Sequence, residues 1–281
     1  MKCQIAYVAS LVAASLLALP ASAHPVADDP ATAQFLANEA VLVFAGETKI
    51  LFDPLYTQSY NNYPLVDPAM RAALMAGEAP YDGVDAVFIS HIHGDHFDAE
   101  DLNTYLATHS ETVAVIPFQA RLDMRAAANW DESLEARLHV MSFISGPQSL
   151  TIGADGDARA LQIEAVHIPH AGGAGRAHIQ NMAYRVTLRD EATVMHMGDA
   201  TPDAAPYAAQ HAHFQARTTH RAFPPYWLIQ QWGGEVLRER INADEVTGIH
   251  VPIRLPGAVT ASSEDFFTRP GEQRGVHPHE D

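Results

Sequence analysis

Six consecutive residues, His91-Ile92-His93-Gly94-Asp95-His96, constrain this chain more than anything else in it, because they follow directly on the apolar, β-branched run Val84–Ser90. Such a run reads as a buried strand. Side chains two residues apart at its end point the same way, so His91 and His93 are set to grip one cation. Gly94 eases a turn that aims Asp95 and His96 at a neighbouring point, and four donors in six positions suit two metal ions better than one. Residue frequencies give on the order of one accidental match per few hundred such chains. Three histidines at this spacing are not how a core is filled.

Composition narrows the partners. With 17 Lys+Arg against 34 Asp+Glu and a net charge of −17, tracking of phosphates along nucleic acid is excluded as a working reading. Lys2, the apolar run Ile5–Leu19 and the small residues Ala21-Ser22-Ala23 read as a secretory leader over residues 1–23, cleaved before His24. That predicts a periplasmic or secreted protein with no stable membrane insertion after cleavage. Cys3 is the single cysteine and falls within the leader, so any metal site must use nitrogen and oxygen donors.

Strands and helices alternate through the rest. The runs Ala40–Phe44 and Thr48–Phe52 flank the turn at Gly46-Glu47 as a hairpin, and residues 55–82 look irregular apart from a helical turn at Met70–Met75. Asp98 is placed to cap a helix carrying Leu102, Tyr105 and Leu106 on one face. Further strands are expected at Thr112–Ile116, Leu138–Phe143, Ala160–His167, Met182–Leu188, Ala192–His196 and Val246–Val251. Helices are expected at Gln119–Ala128, Asp203–Gln210 and Gly234–Ile241. One α/β domain over residues 24–261, built as two similar layers, is the simplest arrangement, with 262–281 as a polar tail.

More donors sit at strand ends. Gly198 lets the chain turn tightly before Asp199, and His250 lies in an otherwise apolar run where a lone histidine is costly unless bonded or ligating. His167 and His170 both close the Ala160 strand. With Ile50-Leu51-Phe52-Asp53-Pro54, Asn181-Met182-Ala183-Tyr184, Met195-His196-Met197-Gly198-Asp199 and Ile249-His250-Val251-Pro252, the chain resembles the metallo-β-lactamase-fold hydrolases over about residues 34–251. It looks closest to the branch containing L-ascorbate-6-phosphate lactonase and N-acylphosphatidylethanolamine-hydrolysing phospholipase D.

The resemblance implies a four-layer αββα sandwich. It assigns His91, His93 and His170 to a first metal, Asp95, His96 and His250 to a second, and Asp199 to a bridge between them. His170, which follows Pro169, fits the third position better than His167. Asp53 would buttress the ligand loop. Nitrogen-and-carboxylate ligation suits zinc first, with manganese or iron(II) accepted by the same donors. Two such ions bring the pKa of a shared water toward neutrality, giving a hydroxide that attacks a lactone, ester, amide or phosphodiester, with Asp95 as a proton shuttle. The stretch Ala171–Arg176 brings backbone N–H groups and Arg176 toward an anionic small molecule, and Tyr56, with Tyr60 and Tyr63, is expected to wall the pocket. An iron-dependent oxygenase and a non-catalytic metal-binding protein are the competing readings.

Overall fold

The computed structural model describes residues 31–277 apart from 155, 156, 158, 190 and 191. The expected leader therefore lies outside the described residues. In chain order the first half runs β1 (Ala31–Ala37), β2 (Ala40–Ala45), β3 (Thr48–Phe52), α1 (Pro68–Ala76), β4 (Ala86–Phe88), α2 (Ala99–Thr108), β5 (Val113–Pro117), α3 (Phe118–Ala126) and β6 (Leu138–Met141). The second half continues β7 (Gln148–Ile152), β8 (Leu161–His167), β9 (Met182–Leu188), β10 (Ala192–His196), α4 (Ala204–Ala209), α5 (His211–Gln215) and β11 (Thr219–Phe223). It closes with α6 (Tyr226–Trp232), α7 (Gly234–Ile241), β12 (Ala243–Val246), α8 (Gly257–Thr260) and β13 (Gln273–Val276).

The strands form a seven-stranded sheet ordered β13-β1-β2-β3-β4-β5-β6 and a six-stranded sheet ordered β12-β11-β10-β9-β8-β7. Period-two alternation with both faces apolar makes a layered stack inevitable. In β2, Val41 and Val43 face the space between the sheets with Phe52, Phe88, Met182, Tyr184 and Val194, while Leu42 faces the opposite way. That opposite face packs on α1–α3 through Leu74, Leu102, Leu106 and Met124. The outer face of the second sheet buries Met195 against Tyr207, Phe214, Leu228 and Leu237 of the later helices. Three apolar layers separate four layers of structure, which is the αββα sandwich.

Two expectations need correction. Residues 262–277 do not form a separate tail: Phe267 is fully buried, its ring stacked 5.1 Å from Phe35, and β13 pairs antiparallel with β1. Two consecutive phenylalanines carry the apolar area that holds this segment to the sandwich. The expected strand Val246–Val251 is displaced to Ala243–Val246; pairing persists through single bonds from Thr247 N–H to the Ala222 carbonyl and Ile249 N–H to the Pro224 carbonyl, and the chain turns away at His250, whose backbone is left-handed (φ 59°).

The topology also positions the site. β3, β4, β5 and β6 run parallel, as do β10, β11 and β12. Their carboxyl ends open at one edge of the sandwich, where open α/β sheets bind ligands.

Candidate metal centre

Asp53 follows β3, Ser90 to His96 follow β4, His170 follows β8, Asp199 follows β10 and His250 follows β12, so each loop brings its polar residues to the same edge. His91 Nε2 lies 3.0 Å from His93 Nδ1, His93 Nδ1 lies 2.9 Å from His170 Nε2, and His170 Nε2 lies 3.1 Å from Asp199 Oδ2. A second group adjoins it. His96 Nε2 is 3.2 Å from His250 Nε2, His250 Nε2 is 3.5 Å from Asp95 Oδ2, and Asp199 Oδ1 is 3.0 Å from His250 Nε2 and 3.4 Å from His96 Nε2. Asp199 thus offers one oxygen to each group.

Hydrogen bonds on the far side of the rings decide which nitrogens are free. Ser90 Oγ donates to Asp53 Oδ2 at 2.5 Å and therefore accepts from His91 Nδ1–H at 3.0 Å. His96 Nδ1–H donates to Asp53 Oδ2 at 2.9 Å, and His170 Nδ1–H donates to the Ala171 carbonyl at 2.5 Å. Each bond fixes a tautomer whose Nε2 presents a lone pair to the group, the arrangement that orients metal-binding imidazoles. Lone pairs facing one another at these distances repel unless a cation lies between them. A tetrahedral ion with bonds of about 2.0–2.1 Å needs donors about 3.3 Å apart, and the observed separations bracket that value. The donors fit two ions: His91, His93, His170 and Asp199 would hold one, and Asp95, His96, His250 and Asp199 the other.

The electrostatics agree. Burial, reinforced by the neighbouring charge of His96, holds His91 well below the usual histidine range, and burial beside His170 pushes His93 down to about 4. Burial works against ionisation of Asp199, but His250 and His96 outweigh it and hold the carboxyl well below the carboxylate range. An ionised aspartate beside neutral His91 and His93 is the protonation state that metal binding requires. His96 differs: although burial opposes its charge, Asp199 and Glu39 hold it well above the usual histidine range, so a cation bound there displaces a proton.

Every expected donor is accounted for. His170 joins the first group; His167 does not, its ring packing 4.7 Å from Phe143. Asp53 accepts from Ser90 N–H at 2.7 Å as well as from the Ser90 hydroxyl and His96, so it braces one donor of each group. Arg176 stands exposed on a cleft of about 260 Å³ lined also by Tyr60, Tyr63, His93, Asp95, Asp199 and His250. Tyr56 does not reach it. Its ring is buried and its hydroxyl donates to the Pro64 carbonyl at 2.9 Å, so it packs beneath the loop that carries Tyr60 and Tyr63.

The sequence reading missed Ser90, Asn181 and Glu39. Asn181 Oδ1 accepts from Asp199 N–H at 2.9 Å while its Nδ2 donates to the carbonyls of Ile168 and Met197, fixing the turn before Asp199. A Cβ at Gly198 would sit 2.4 Å from that same Oδ1, so only glycine fits there. Glu39 is fully buried, and burial raises its carboxyl well above the usual range although His96 opposes it. The Asn38-Glu39 pair between two apolar runs signals a turn, which it is; nothing local signals that the turn is buried.

A model of the β-lactamase superfamily domain matches residues 32–214. No curated protein matches the sequence. Among solved structures the chain is similar to Igni18, described as a novel metallo hydrolase of Ignicoccus hospitalis, at a TM-score of 0.56 and 17% identity, over 87% of this chain and 97% of that one. It is similar to a possible metal-dependent hydrolase of Veillonella parvula at a TM-score of 0.58 and 12% identity, over 88% and 100%. It is also similar to an isothiocyanate hydrolase from Delia radicum gut bacteria at a TM-score of 0.53 and 15% identity, over 87% and 99%. At these identities the likeness is one of fold.

Proposed function

We propose that this chain, which belongs to the β-lactamase superfamily, is a metal-dependent hydrolase that cleaves a lactone, ester, amide or phosphodiester bond in a small anionic molecule. One observation carries the reading: the two oxygens of Asp199 face two separate groups of imidazole donors, three of them with tautomers fixed from behind. A structural histidine cluster needs no such division, whereas a pair of ions sharing one carboxylate does.

Held by His91, His93 and His170 on one side, Asp95, His96 and His250 on the other, and Asp199 between, two divalent ions, zinc first among them, would supply Lewis-acid activation of water and of the scissile group. The protein's own side chains do the rest. Asp95, on the cleft and 4% exposed, takes up a proton and returns it to the leaving group. Arg176 binds the anionic part of the substrate, and Tyr60 and Tyr63 wall the cleft against bulk water. A volume of about 260 Å³ suits a small molecule. We include export in this reading: the leader at residues 1–23 delivers a mature chain beginning near His24, periplasmic or secreted.

The test is metal analysis of the purified mature protein, followed by a screen of the loaded form against lactones, phosphodiesters, phosphomonoesters and β-lactams, with His93→Ala as the blank. About two tightly held ions and turnover of one class, absent from the blank, are expected. Iron with oxygen-dependent turnover would favour the oxygenase, and several weakly held ions with no turnover would favour the metal-binding protein. A protein unable to take up metal would overturn the proposal.

A further inference from the structure

The turn between β1 and β2 touches the second donor group at three points. Asn38, in left-handed backbone (φ 49°), donates from Nδ2 to the Asp95 carbonyl at 2.9 Å. The Asn38 carbonyl accepts from His250 N–H at 3.0 Å. Glu39 Oε2 lies 3.5 Å from His96 Nδ1 and 3.5 Å from His196 Nε2, behind the ring whose Nε2 faces the site. Asp95, His96 and His250 are the donors of the second group, and none of these contacts reaches His91, His93 or His170.

The Glu39 carboxyl adds an independent observation. It is fully buried, and among the described residues no donor closes on either oxygen. One of its oxygens lies within 4.8 Å of a donor atom of Asp199 and of His250. A buried carboxyl without hydrogen-bond partners is costly, and its place behind the His96 ring sets it against one ligand of the second group.

We propose that Asn38 and Glu39 are positioning residues dedicated to the second metal site, the first holding the backbones of Asp95 and His250 in register and the second drawing on the His96 imidazole from behind. This rests on the hydrolase reading only in requiring that the two donor groups bind metal. The turn belongs to the seven-stranded sheet, whereas His250 follows a strand of the six-stranded one, so Asn38 also ties the second group across the sandwich.

The experiment is titration of the metal-free mature protein with Co²⁺, followed by its visible d–d bands, and with Zn²⁺ by calorimetry. Asn38→Gly keeps the positive φ and removes only the side-chain bond; Glu39→Gln keeps the volume and removes the carboxyl group. Each is expected to weaken the second equivalent about 10–100-fold, the usual cost of losing a group that orients a ligand, and to leave the first within about twofold. Metal-free Glu39→Gln should melt no lower than wild type, while the loaded variant should melt lower. Equal weakening of both equivalents, no weakening of either, or collapse of the near-UV signal in the metal-free variants would assign the turn to the fold at large and overturn the inference. A wild-type protein that takes up no metal would instead remove the hydrolase reading, and this assignment with it.

Discussion

Asp53→Asn tests how far one carboxylate supports both donor groups. The substitution is nearly isosteric, and asparagine tolerates the φ of 40° at this position. The native oxygens accept from Ser90 N–H at 2.7 Å, Ser90 Oγ–H at 2.5 Å and His96 Nδ1–H at 2.9 Å. Whichever way the new amide is turned, its NH₂ faces either the Ser90 N–H or the hydroxyl and imidazole together. Bonds to a charged acceptor contribute about 1.5–3 kcal/mol each, and a weakened set of three should cost about 2–5 kcal/mol. At about 2–4 °C per kcal/mol for a domain of this size, the melting temperature of the metal-free protein should fall by about 5–15 °C. His96 is then free to carry its proton on Nε2, and Ser90 no longer fixes the proton of His91. Both metal equivalents should therefore weaken, by about 10–100-fold, in contrast to the one affected by the turn variants. Calorimetric titration beside thermal melts measures both effects. An unchanged first equivalent would refute the relay through Ser90, and an unchanged melting temperature would refute the energetics.

Arg176→Ala should raise KM for an anionic substrate about tenfold with kcat little changed, and leave a neutral analogue unaffected, which steady-state kinetics on the paired substrates will show. Phe267→Ala, emptying a site shared with Phe35 and Phe223, should cost about 3–5 kcal/mol in chemical denaturation, and a chain ending at residue 261 should not fold. Burial, then the charge of Arg185, pushes His213 down to about 4, and His93 lies as low. Below its ordinary pKa near 6.5 the unfolded chain takes up these protons first. The metal-free protein should therefore lose stability as the pH falls from 7 toward 4. Melting curves across that range should be flatter for His213→Asn.

The parts of the site that could be read from sequence are those written contiguously or forced by a strand end. His91 to His96 adjoin one another, and Asp199 and His250 each stand out against an apolar run. His170 required the resemblance to separate it from His167, since spacing favours neither. Strands buried on both faces, such as β2, β9 and β10, were legible from their apolar runs. β7, β11 and β13 were not, because Gln148, Thr219, Arg221 and Arg274 make them look like loops. Tyr56 was misjudged because an aromatic residue in an irregular stretch carries no sign of which way it faces. Glu39 is the deeper failure: only the packing of one sheet on the other turns a polar hairpin pair into an interior acid.

His250 and β13 also have a consequence in time. The ribosome delivers the earliest donors with β4, but the last imidazole follows His96 by 154 residues and the strand that closes the edge comes later still. Until then an ion can be held only by a partial claw, which any competing chelator can strip. The complete claw exists first wherever the finished polypeptide folds, so the inventory of ions in that compartment, more than the intrinsic preference of seven side chains, would decide which element the two donor groups take up.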